Sequence, residues 1–300
     1  MPTEKNHVHG GLAGRLASGE GGPAGGASGP ADRGGQTGGA SVPAATAYDR
    51  SMTGGEMAGP VPLTAPLREF CAENMTGVRA AINAGVGRIE LCNNLAVGGT
   101  TPSAGIMRQT ARLAHANGVS VMCMVRPRGG DFEYTRDEVA AMREDIEVAR
   151  RAGADGVVLG CLRGGQLDRD LTLELVRLAQ ETMAGAYAPM DVTFHMAFDE
   201  LPEDEKPDAI RWLAGIGVKR ILTHGGAAGT PIADNYERLR SYVTCAEATQ
   251  KPSMGGLAAL VGEDRSIRIL PGGGITWENA REVAEALGVD EVHGTRIVRM

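Results

Sequence analysis

The chain has 300 residues, a formal net charge of −7 and four lysines with no Lys/Arg run, so neither a nucleic acid nor an acidic membrane surface is expected as its main partner. Its five cysteines, at positions 71, 92, 123, 161 and 245, are odd in number and lack CxxC spacing, which argues against a disulfide framework or zinc knuckle and fits a reducing compartment. No stretch approaches the roughly 18 apolar residues of a membrane span, and a soluble, cytoplasmic protein is expected.

Residues 1–62 hold 16 of the 44 glycines, with Pro, Ala and Ser filling most of the rest. Without apolar periodicity this segment cannot bury a core and reads as a disordered extension. It has no apolar leader core, and its five acids against four bases argue against a mitochondrial presequence. Residues 63–300 suffice for one α/β domain with a large interior. In it, eight short apolar runs read as strands: Leu67–Ala72, Arg88–Cys92, Val119–Arg126, Gly156–Cys161, Asp191–Ala197, Arg220–Thr223, Ile267–Pro271 and Glu291–Thr295. Amphipathic stretches at Arg136–Ala152, Leu171–Met183, Asp234–Ala248 and Trp277–Leu287 read as helices, several ending in Gly. Ala-Gly-Val, Ala-Gly-Ala and Leu-Gly-Val recur just before strands two, four and eight. Eight β/α steps in this length predict a TIM (β/α)8 barrel rather than an open doubly wound sheet.

Barrels of this kind keep their sites at the C-terminal ends of the strands, and side chains alternate between lumen and helix layer. With Ile89 and Leu91 facing the helices, Glu90 and Cys92 turn inward; with Val192 and Phe194 outward, Thr193 and His195 turn inward. Val121, Cys123 and Val125 share one face, which leaves Arg126 on the other with Met122 and Met124. Glu291 and His293 lie opposite Val292. Glu90, Arg126, His195 and His293 therefore converge in the mouth, with Arg128, Asp131, Asp199 and Thr223 near the rim. Arg126, Arg128 and Asp131 stand around the turn Val125-Arg126-Pro127-Arg128-Gly129-Gly130-Asp131-Phe132, where Pro127 holds Arg126 extended and the glycines let the backbone approach a ligand. After strand seven, the amides of Gly272, Gly273 and Gly274 stand where barrels commonly bind phosphate.

The same turn, with Arg-Ile-Glu-Leu-Cys (88–92), Gly-Gly-Thr-Thr-Pro-Ser (98–103) and Thr-Phe-His-Met-Ala-Phe-Asp (193–199), closely resembles the CutC family, named for copper homeostasis. The resemblance runs from about Leu67 to the C-terminus and implies the same barrel. It also brings in copper, for which Cys92, His195 and His293, and more distantly Cys161, are the soft donors at strand ends; Cys123 and Cys245 read as packing residues.

Three readings stand side by side. In the first, copper binds at Cys92, His195 and His293. In the second, the mouth takes a small phosphate or carboxylate ligand, with Arg126, Arg128, Asp131, Thr223 and Gly272–Gly274 holding it and Glu90 or His195 moving protons beside Arg126. In the third, the barrel is an interaction scaffold. Lysines 5, 206, 219 and 251 lie at no strand end, so Schiff-base chemistry is not expected, and no GxGxxG or Walker sequence points to a nucleotide cofactor. Two departures from the family are visible. Met196 replaces its usual Arg and is expected to face the helices. The chain also runs only five residues past strand eight, too few for a final helix. The flank of strands one and eight is then expected to be uncovered and to favour a homo-oligomer.

Overall fold

The structure, a computed structural model, describes residues 65–182, 187–250 and 266–300; the glycine-rich extension at 1–62 lies outside the described residues. Eight parallel strands alternate with helices: β1 (Leu67–Glu73), α1 (Val78–Asn83), β2 (Arg88–Cys92), α2 (Ala104–His115), β3 (Ser120–Met124), α3 (Arg136–Ala152), β4 (Gly156–Leu159), α4 (Arg169–Gln180), β5 (Asp191–Phe194), α5 (Lys206–Gly215), β6 (Arg220–Thr223), α6 (Tyr236–Gln250), β7 (Arg268–Pro271), α7 (Ala280–Leu287) and β8 (Glu291–Gly294). A two-stranded hairpin, 162–163 with 166–167, leads into α4. Each barrel strand falls on one of the eight apolar runs. Strand order is β8-β1-β2-β3-β4-β5-β6-β7, a TIM-like barrel. Among the described residues no ladder joins β7 to β8; a bridge between Thr276 and Arg296 closes the mouth end, where Trp277 N donates to Arg296 O at 2.8 Å.

Local chemistry sets the elements. Thr135 accepts from Glu138 N while the Glu138 carboxylate accepts from Thr135 N, a capping box that starts α3; Gly153, at φ 87°, ends it in the left-handed conformation that glycine adopts without strain. Ser103 and Asp168 cap α2 and α4 by accepting from Ile106 N and Leu171 N. Several strands end earlier than the apolar runs suggest. β5 stops at Phe194 because Met196–Glu200 winds into a 3₁₀ turn, and β3 stops at Met124, ahead of Pro127.

The alternation produces two buried layers. Outward residues such as Ile89, Leu91, Val121, Cys123, Val192 and Phe194 join the large core between strands and helices. Inward residues Cys71, Cys92, Met122, Met124 and Val158 form a separate sulfur-rich cluster in the lumen. Beneath it lies an ionic floor. Arg88 donates to both Glu69 and Glu291, while Arg220 reaches Glu291 at 2.9 Å and Asp191 at 3.0 Å. Every carboxylate there has a cationic partner, the condition under which buried charge is tolerable.

No helix follows β8 in residues 295–300. The flank is nonetheless not uncovered as expected: Phe70 of β1 and Val292 of β8 are buried, as are Ile297 and Val298 beyond the strand. No helix among the described residues is long and apolar enough to cross a membrane.

Candidate functional site

The lumen cluster is built by adjacent strands. Cys71 of β1 stands beside Glu90 of β2 in register, and Glu69 stands beside His293 of β8. The ligating atoms of Cys71, Glu90 and His293 lie within 4.8 Å of one another. His293 Nδ1 is 2.8 Å from Glu69 Oε1 and its Nε2 is 3.7 Å from Glu90 Oε2; the Cys92 thiol donates to the same Glu90 oxygen at 3.6 Å. Burial would lower the His293 imidazole, yet Glu90, Cys71 and Glu69 together lift it well above its ordinary value, so the ring is a cation between carboxylates. Burial would raise Glu69, but Arg88 and His293 hold it at about 2. Burial raises Glu90 against the pull of His293, and its Oε1 has no hydrogen-bond partner in the protein.

Both neighbouring sulfurs are thiols at neutral pH. The hydrogen bond with Cys92, burial and the Glu90 charge push Cys71 well above its ordinary value; Cys71's hydrogen bond lowers Cys92, but burial and Glu90 prevail and push it up to about 11. A soft cation entering here displaces protons.

Arg126 and His195 lie higher in the mouth. Arg126 Nη1 donates to Val97 O at 2.9 Å and Gly99 O at 3.0 Å, and Nη2 to Gly130 O at 2.6 Å. The guanidinium is thus a clamp on two loops, with only Nε left without a partner. Its carbon lies 4.7 Å from the centre of the Phe132 ring, and His195 packs 4.8 Å from that ring. Burial and the Arg126 charge push His195 down to about 3, which keeps it neutral. Its Nδ1 accepts from Ala197 N at 3.2 Å, so the ring proton is on Nε2, which has no partner in the protein.

The remaining expected residues are placed as follows. Arg128 is committed to Glu138 at 2.6 Å and Asp131 at 2.9 Å, with carbonyls of Gly129 and Glu133 beside it. The Thr223 hydroxyl donates to Asp199, which also accepts from His224 N at 2.8 Å and Gly225 N at 3.2 Å; Asp199 braces the loop after β6. Gly273 and Gly274 take left-handed φ values of 82° and 78°, and a side chain on Gly273 would collide with His224. Met196 does not face the helices. A Cβ on Gly272 would stand 3.1 Å from the Met196 methyl and 3.2 Å from the His293 ring, because the 3₁₀ turn after Phe194 breaks the alternation. Cys92 meets Glu90 and Cys71, whereas His195 meets Phe132 and Arg126, so the expected Cys92–His195–His293 set is divided between two levels of the barrel.

Sequence reasoning passed over Cys71, Glu69, Tyr134 and His224. Alternation along β1 was the available signal for the first two, since Phe70 and Ala72 belong to the helix layer. Counting on from Arg220 and Leu222 would have turned His224 inward; its Nδ1 is 3.0 Å from Gly272 O and its Nε2 3.1 Å from Thr230 Oγ1.

A model of the CutC family matches residues 66–298. A CutC protein of Enterococcus faecalis is 46% identical over 233 residues, covering 77% of this chain and 100% of its own. One from Streptococcus pyogenes is 43% identical over 234 residues, with 77% and 100% covered. A CutC structure from Streptococcus agalactiae, assigned by name to copper homeostasis, matches with a TM-score of 0.67 at 38% identity, covering 78% of this chain and 100% of that one. Deoxyribose phosphate aldolase from Aeropyrum pernix, 12% identical with a TM-score of 0.54 over 78% of this chain and 87% of its own, shares the fold alone.

Proposed function

The chain belongs to the CutC family, and from that premise we propose that it binds Cu(I) in the barrel lumen as part of copper homeostasis. The observation that carries this reading is the meeting of Cys71, Glu90 and His293 ligating atoms within 4.8 Å, with the Cys92 thiol on the same carboxylate. Cu(I) prefers thiolate, thioether and imidazole, and the lumen offers two cysteines and His293 with Met122 and Met124 beside them. Cys71, Cys92 and His293 would hold the ion, and Glu90 would balance its charge. All five cysteines are free, which supports work in a reducing, cytoplasmic setting where thiols persist.

The proposal is checked by titrating Cu(I) against a chromogenic Cu(I) chelator in the parent protein and in Cys71→Ser and Cys92→Ser. Each variant is expected to lose affinity by at least tenfold. Unchanged stoichiometry and affinity in both would remove the lumen as the copper site.

A further inference from the structure

Above the thiol cluster, two buried donors have no hydrogen-bond partner in the protein, Arg126 Nε and His195 Nε2; the Tyr134 hydroxyl beside them interacts with Arg126. Each such atom costs about 1–3 kcal/mol when left unpaired, so a ligand group that pairs with it recovers that cost. The first two flank one ring, with the Arg126 guanidinium 4.7 Å and the His195 ring 4.8 Å from Phe132. Tyr134 reaches Arg126 through its hydroxyl, while Thr193, also without a partner, lies lower, paired in register with Val158 of the thiol cluster. Arg126 and His195 are each 3% exposed, so these two are donors turned inward, while Tyr134 is half-buried at their side.

We propose that the mouth holds a second site, separate from the thiol cluster, for the carboxylate of a small monoanionic acid, with Arg126 Nε, His195 Nε2–H and the Tyr134 hydroxyl as its donors. Charge decides the class of ligand. Among the described residues no carboxylate pairs with Arg126, while Arg128 is neutralised by Asp131 and Glu138 and His195 is uncharged. One positive charge balances one carboxylate, whereas a phosphate dianion would leave a negative charge uncompensated in a buried setting. The neutral ring with its proton on Nε2 supplies a fixed donor, and the Arg126 fork is already immobilised by three carbonyls, so little ordering accompanies binding.

The test uses metal-free full-length protein, with acetate, propionate and lactate as probes against chloride at matched ionic strength and against inorganic phosphate. Thermal shift and calorimetry are expected to show saturable stabilisation by the monocarboxylates and weaker or no stabilisation by phosphate. Tyr134→Phe removes a hydroxyl whose protein neighbour is Arg126 and His195→Gln keeps a polar side chain there; both are expected to fold, to retain Cu(I) stoichiometry and to lose carboxylate affinity by at least fivefold. Absence of saturable binding at tens of millimolar overturns the site. Tighter binding of phosphate overturns the monoanion assignment, and unchanged affinity in both variants overturns the placement. Because copper is absent from the assay, failure of the copper reading leaves these outcomes intact.

Discussion

Glu69 is the residue on which the lumen turns, since it touches Arg88 in the floor and His293 in the thiol cluster. A carboxyl held at about 2 instead of its ordinary 4.5 contributes on the order of 3 kcal/mol. Its folded value is depressed, so this stability is fully present above about pH 4.5 and disappears as the pH falls towards 2. Glu69→Gln is therefore expected to lower unfolding free energy by about that amount at pH 7, with the difference from the parent narrowing across that acid window in urea melts; a constant difference at all pH values would contradict it. At this scale the sequence was partly readable. Ile89 and Leu91 bracket Glu90 so plainly that alternation turned Glu90 and Cys92 inward. In β1 Glu69 and Cys71 alternate with Phe70 and Ala72, so the same signal was present there, weakened by the charged Arg68 on the apolar face. Arg126 was legible as an inward guanidinium but not as a clamp, because its partners are backbone carbonyls, which carry no side-chain pattern.

Two loops over the mouth are joined by one side chain in addition to the hydrogen bonds between the Arg126 backbone and Thr101. Arg126 ties Val97 and Gly99, after β2, to Gly130, after β3. Arg126→Met would leave three carbonyls without their charged donor, at a cost of about 3 kcal/mol. Faster hydrogen exchange and earlier proteolysis are expected at 95–99 and 129–132, with the helices unchanged; protection equal to the parent in both loops would show that the clamp is idle. Helix boundaries were legible where caps mark them. Arg136–Ala152 is bracketed by the Thr135/Glu138 box and Gly153, and its ends agree to the residue. Strand ends were less legible, since an apolar run continues into a loop whenever the loop also packs inward, as Val125 and Ala197 do.

For the whole molecule, the eight-strand alternation predicted the barrel, because period-two runs spaced by helices have few other closed solutions. It could not predict the uneven seam. Among the described residues β7 and β8 share no ladder; a bridge between Thr276 and Arg296 joins them at the mouth, and near the floor Arg268 lies 3.5 Å from Glu291 and 3.7 Å from Asp290. Native-state hydrogen exchange is expected to find the lowest opening free energies in β7 and β8, while β2 and β3, laddered on both sides, open last. Uniform protection around the barrel would refute a weak seam. The ionic floor has a different consequence. Arg88, Glu69, Glu291 and Arg220 interlock below the thiols and close the lumen from that end. On the proposed copper reading, an ion is then expected to enter and leave by the rim alone, so that its donor and its acceptor would use one opening in turn.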